Sequence, residues 1–187
     1  MERAKRKHIV EALWPAGLPG SMEVWVILDG ARDDRIYGAV DGCYLHKCCL
    51  YSGDLPWQLQ MTAPYLIQLH QDDQFMDYVI EHGWGHAWGI FLRSDNSMKN
   101  LRRHLRGFLL ARDDSGRRLV FRYYDPRVLR NYLPTCWPEE LRAFFGPVDS
   151  YVVEGENPSQ VLDYRIENAA LRARQAQLSV RGTSASA

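Results

Sequence analysis

No part of this chain is apolar for long enough to cross a membrane as a helix. Its longest apolar runs, such as residues 24–28 and 66–67, stop far short of the roughly 18 to 20 residues a span needs. A secretory leader is missing too: residues 1–8 are basic, but residues 9–18 are broken by Glu11, Pro15 and Gly17, so no apolar stretch of roughly 7 to 15 residues follows. A soluble, non-exported, cytoplasmic protein is the expectation. Cysteine is scarce, four in 187 residues with Cys48 and Cys49 adjacent, which excludes a disulfide scaffold and suits reduced, buried thiols. There is no excess of charge of either sign, 23 basic against 23 acidic residues, so no long-range field gathers nucleic acid or an anionic membrane. Signatures of catalysis are missing as well. There is no Gly-x-Ser-x-Gly, no phosphate-cradling glycine loop and no Gly-x-Gly-x-x-Gly after a strand.

What is present is an ordinary globular composition, 46 % hydrophobic and 25 % charged, sized for one domain. The zero net charge hides an asymmetry. Residues 11–92 carry three bases and eleven acids, and residues 93–130 carry eleven bases and four acids. The domain is electrically two-sided. We divide it into an N-terminal extension at 1–19, an α/β domain at 20–154, a C-terminal helical segment at 155–178 and a disordered tail at 179–187, with the first seven residues also mobile.

Hydrophobic patterning predicts strands at 23–29, 44–51, 63–69, 86–93 and 148–153. Helices are expected at 33–40, at 72–82 with Gly83 as its stop, and from Ser97 through an apolar stripe of Met98, Leu101, Leu105 and Phe108. Residues 109–124 read as a late β-hairpin around Asp113-Asp114-Ser115-Gly116. Pro126 and Pro138 each start a helix. The last segment, 159–178, places Leu162, Ile166, Ala169 and Ala173 at helical spacing, with Tyr164, Leu171 and Leu178 on a second stripe, and so reads as a final helix. The fold class expected is α/β: a single domain with a mixed β-sheet flanked by helices.

Each constellation that could carry chemistry has a plainer reading. Cys43, His46, Cys48 and Cys49 lie within seven residues, but on a strand they point to opposite faces and cannot converge on one metal ion. His82 and His86 are separated by Gly83 and Gly85, which make a turn of that segment. Asp29, at the end of the first strand, could serve as a catalytic acid; an ion pair with Arg32 or another arginine is the stronger expectation. Asp29, Arg93, Arg122 and Asp125 are read as architectural, since charges at the ends of buried strands need partners. The arginines between 93 and 130 interleave with Phe121, Tyr123 and Tyr124, a composition shared by nucleic-acid faces and by protein interfaces. Of the two tryptophans flanking Gly85, Trp88 is expected in the core, and Trp84, in a glycine turn, is the candidate interface anchor.

Read in order, several blocks resemble one family. They are Val26-Ile27-Leu28-Asp29-Gly30-Ala31-Arg32, Cys49-Leu50-Tyr51-Ser52-Gly53, Ala63-Pro64-Tyr65-Leu66, Gly83-Trp84-Gly85 and Trp88-Gly89-Ile90-Phe91-Leu92-Arg93-Ser94. Leu101-Arg102-Arg103-His104-Leu105-Arg106 and Phe121-Arg122-Tyr123-Tyr124-Asp125-Pro126-Arg127-Val128-Leu129 complete the set. Together they resemble the effector chaperones, or adaptors, of type VI secretion systems. The resemblance implies a non-enzymatic bacterial protein with no cofactor, no metal and no catalytic residue. Its implied partners are one toxic effector, commonly bound near its N-terminal region, and the VgrG spike protein on which the effector is placed before firing. A small α/β enzyme and a nucleic-acid-binding module are the competing readings.

Combining composition with that implied role, the partner-binding residues expected are Trp84, Arg102, Arg103, Arg106, Tyr123 and Arg127, with Leu162, Ile166 and Leu171 on the final segment. That segment, with the strand at 148–153, is expected to border a groove for an apolar stretch of the effector.

Overall fold

The computed structural model of the chain describes residues 3–112 and 115–178. Its centre is a seven-stranded sheet built on β1 (Glu23–Asp29), whose six residues from Val24 onward are all buried. Successive side chains of a strand point to opposite faces, and β1 uses this strictly. Trp25 and Ile27 enter one hydrophobic core, while Val24, Val26 and Leu28 enter a second on the other side of the sheet. Two faces to cover explain why helices lie on both.

One face is covered by α1 (Arg3–Leu13), α2 (Asp34–Gly42) and α4 (Gln74–Gly83), through Ile9 and Leu13, Ile36 and Val40, and Phe75, Met76, Val79 and Ile80. Asp33 and Asp73 cap α2 and α4 by accepting from Arg35 N and Phe75 N, which satisfies amides the helix itself leaves open. The other face is covered by α5 (Met98–Arg106), α6 (Pro126–Tyr132) and α7 (Pro138–Phe145). Between α2 and α4 run β2 (Lys47–Cys49), α3 (Trp57–Met61) and β3 (Pro64–Leu69); β4 (Gly89–Ser94) precedes α5, and β7 (Ser150–Glu154) follows α7. A separate two-stranded sheet, β5 (Leu110–Arg112) with β6 (Arg118–Val120), is the expected late hairpin.

The α/β domain stands as expected, with three corrections. Strand order is β2-β3-β1-β4-β7-β8-β9, and every pairing among the described residues is antiparallel rather than mixed. The expected C-terminal helix is instead a hairpin of β8 (Gln160–Glu167) and β9 (Ala170–Gln177) that extends the sheet. Asn168 and Ala169 turn it, both with positive φ, 53° and 61°, the backbone that two-residue hairpin loops demand. Positions four apart share a face in a strand as well as in a helix, so the spacing of Leu162 and Ile166 fits both structures. Pairing with β7, through Tyr151 opposite Tyr164 and Val153 opposite Leu162, decides the outcome. Third, the first seven residues, expected to be mobile, belong from Arg3 onward to α1, whose Ile9 and Leu13 are fully buried. The expected disordered tail, 179–187, lies outside the described residues.

Among the described residues no helix is long and apolar enough to cross a membrane.

Candidate interaction surface

Helix α5 is the sharpest amphipathic element of the chain. Ser97 caps it through Asn100 N, and Met98, Leu101 and Leu105 are buried. That leaves Lys99, Arg102, Arg103 and Arg106 on the outer side. Arg102 is committed to the scaffold: its Nε donates to Cys49 O at 2.8 Å and its Nη2 to Tyr51 O at 3.1 Å, tying α5 to the strand below. Among the described residues Arg103 reaches Asn100 Oδ1 on its own helix, at 3.2 Å. Lys99, Arg103 and Arg106 therefore line an open groove of about 850 Å³ together with Arg102, His46, Cys48 and Ser97. Among the described residues no carboxylate lines it.

Arg106 also borders a second depression of about 460 Å³, lined mostly by aliphatic side chains, Leu50, Leu55, Leu59, Leu109, Leu110 and Val120, with Tyr51 and Ser52 beside them. Leu59, Leu110 and Val120 are 48 %, 56 % and 58 % exposed, a degree of exposure that leucine and valine lose in a core. Residues 109–110 and 119–121 are consecutive apolar positions in a two-stranded sheet. Leu109 faces the core, so Leu110 must face away, and its cross-strand partner Val120 goes with it. That alternation is the signal by which sequence reasoning, which passed over Leu59, Leu110 and Val120, could have found two of them.

Other predicted site residues fall elsewhere. Trp84 is buried, 5 % exposed, and its Nε1 donates to Pro158 O at 2.8 Å, which corrects the expectation of an exposed anchor. Glu154 fixes the turn that carries it, accepting from the amides of Gly85 and Ala87; burial pushes the Glu154 carboxyl up against the pull of those two bonds. Trp88 is in the core as expected, but on the opposite face from Ile90 and Leu92, because Ala87 at φ 56° reorients the chain just before β4. Tyr123 is fully buried with its hydroxyl donating to Leu105 O at 2.9 Å, and Tyr124 is buried beside it. The aromatics that gave the arginine-rich half a nucleic-acid look are therefore core residues, with only Phe121 half-exposed. Leu162, Ile166 and Leu171 are half-buried and pack on the core shared by α5 and α7, as strand residues on one face rather than two stripes of a helix.

The four charges read as architectural are all paired. Asp29 accepts from Arg122 instead of Arg32, whose Nε goes to His86 O at 2.9 Å. Asp125 holds Arg127 through both carboxylate oxygens and caps α6 through Arg127 N at 2.9 Å, so Arg127 is partly committed though exposed. Its carboxyl is buried, which would raise its pKa, yet the Arg127 guanidinium and amide hold it below the usual range. Arg93, with no exposed surface, donates to Ser150 Oγ at 2.6 Å and to Asp163.

Cys43, Cys48, Cys49 and Cys136 are free and half-buried, and burial pushes the Cys48 thiol up to about 11, which keeps it protonated and unreactive at neutral pH. Among the described residues no group of three or more His, Cys, Asp or Glu side chains is placed to hold a metal ion.

Residues 24–143 match the family described as Domain of unknown function (DUF4123). The chain belongs to that family. No curated protein and no solved structure matches it. The DUF4123 match runs from β1 to α7 and so takes in both walls of the groove at Arg106.

Proposed function

We propose that this DUF4123 protein is a cytoplasmic, non-enzymatic adaptor that binds one type VI secretion effector and promotes its loading onto the VgrG spike. The observation that carries the reading is the coincidence of two stretches. The family match at 24–143 covers the sequence blocks, from Val26 to Leu129, that resemble the type VI effector chaperones.

Two structural features support it over the competing readings. The buried charged groups Asp29, Asp125, Arg93 and Glu154 are each engaged by a partner within the fold, which fits the architectural role expected of buried charges. The arginine-rich face has lost Tyr123 and Tyr124 to the core, and stacking on exposed aromatics is what single-stranded nucleic acid requires. What the surface offers is arginine beside exposed aliphatic side chains, the pattern of a protein interface.

Co-expression with the products of the neighbouring genes tests the proposal. Under the adaptor reading the tagged chain recovers a toxin and, through it, VgrG; recovery of neither from cells making both overturns it.

A further inference from the structure

The basic groove along α5 and the aliphatic depression beside β5 and β6 are two halves of one surface, since both are lined by Arg106. We propose that this composite groove docks an acidic amphipathic segment of a partner protein. The partner's aliphatic side chains lie over Leu59, Leu110 and Val120, and its carboxylates meet Lys99, Arg103 and Arg106.

Charge complementarity identifies the occupant. Among the described residues the basic half has no carboxylate in its lining, so Lys99, Arg103 and Arg106 have no acidic partner there among them, and a segment bearing Asp or Glu gains paired charges. Arg102 is excluded from that role because its guanidinium already serves two backbone carbonyls. The second half is lined mostly by leucine and valine, with Tyr51 and Ser52 beside them, which favours leucine-like side chains over bases, whose binding rests on aromatic faces, and suits the helix-in-groove mode of recognition. Identifying this segment with a piece of the effector rests on the adaptor reading; the recognition chemistry does not.

A fluorescein-labelled amphipathic helix of about 18 residues, with Leu on one stripe and Glu along its borders, is the probe. Its anisotropy on titration with the full chain should report saturable binding. The same peptide with Lys for Glu, or Ser for Leu, should bind roughly tenfold more weakly or worse. On the protein side, Arg103→Glu with Arg106→Glu, and separately Leu110→Ser with Val120→Ser, should each cause a comparable loss with the melting temperature unchanged. The proposal is overturned if the Lys peptide binds as well as the Glu peptide, if both double variants bind like the parent, or if single-stranded DNA displaces the peptide more effectively than unlabelled peptide does. It is equally overturned if the parent is a dimer that Arg103→Glu with Arg106→Glu dissolves, for then a second copy is the occupant. Co-purification separates the two readings. A parent chain that binds the peptide but recovers no effector removes the adaptor reading and leaves the groove. Double variants that recover the effector as well as the parent does remove the groove as its docking site and leave the adaptor.

Discussion

Arg122 closes on a carboxylate 93 positions earlier in the chain: its Nε and Nη2 both donate to Oδ2 of Asp29, the former at 3.0 Å. Asp29 ends β1 with 1 % of its surface exposed. Burial pushes its carboxyl above the usual carboxylate range, and the Arg122 guanidinium opposes that rise. The pair joins the central strand to the segment that leads into α6.

Arg122→Ala should therefore destabilise the fold by leaving Asp29 buried and unpaired. Removing one partner of a fully buried pair costs about 3–5 kcal/mol; Arg122 is 40 % exposed, so about 2 kcal/mol is expected, or about 4–8 °C in Tm. Differential scanning calorimetry checks it. Adding Asp29→Asn should recover part of the loss, and a single variant as stable as the parent would show that the pair is dispensable.

The hairpin of β8 and β9 gives a sharper case. Arg93 has no exposed surface and relies on Asp163 of β8, so Asp163→Ala should cost about 3 kcal/mol, read as a shift in urea midpoint at unchanged slope. Deleting the chain after Glu156 removes Asp163 together with buried Val161 and Tyr164. The truncated protein should be unfolded or insoluble, not a folded domain lacking a docking helix.

Stability should also fall on mild acidification. His104 lies in the α5 face with its Nε2–H donating to Phe144 O at 2.8 Å, and burial holds its pKa below the ordinary 6.5, more than that bond raises it. The folded state thus binds fewer protons than the unfolded one, so the contribution is present above pH 6.5 and is lost as pH falls from there toward the depressed folded value. Tm followed between pH 7.5 and 5.5 should decline in the parent and decline less in His104→Gln. Equal slopes would remove His104 as the cause.

Tryptophan emission distinguishes the exposed rings from the buried ones. Trp57 and Trp137 are 57 % and 73 % exposed, against 5 % for Trp84 and 2 % for Trp88. Iodide should quench the parent mainly through the first two, and Trp57→Phe with Trp137→Phe should abolish most of the quenching. Quenching that instead disappears with Trp84→Phe would restore Trp84 as a surface group.

Much of the domain was legible because its elements are locally consistent. The run 24–28 is apolar throughout and buried on both faces, Ser97 with Met98, Leu101 and Leu105 marks a capped helix, and Pro126 and Pro138 open helices where a missing amide costs nothing. What was misread lies where tertiary pairing overrides a local pattern. Ala170, Ala173 and Ala176 beside arginine and glutamine are good helix formers, and only the partner strand β7 makes strands of 160–177. The same holds for α1, whose apolar Ile9 and Leu13 are too few to announce a buried helix until α4 and β8 are placed against it. The candidate surface was half legible. The arginines of α5 stand out by spacing, whereas Tyr123 and Trp84 carry interface-like composition into the core, and Leu59 joins Leu110 and Val120 only in space.

The proposed adaptor role requires that this chain be needed to place an effector on the spike. In a strain lacking only this gene, VgrG purified from the cytoplasm should carry no neighbouring toxin, and supplying the gene in trans should restore it, while VgrG itself is made in equal amount. Toxin bound to VgrG at the parental level without the gene would contradict the adaptor function.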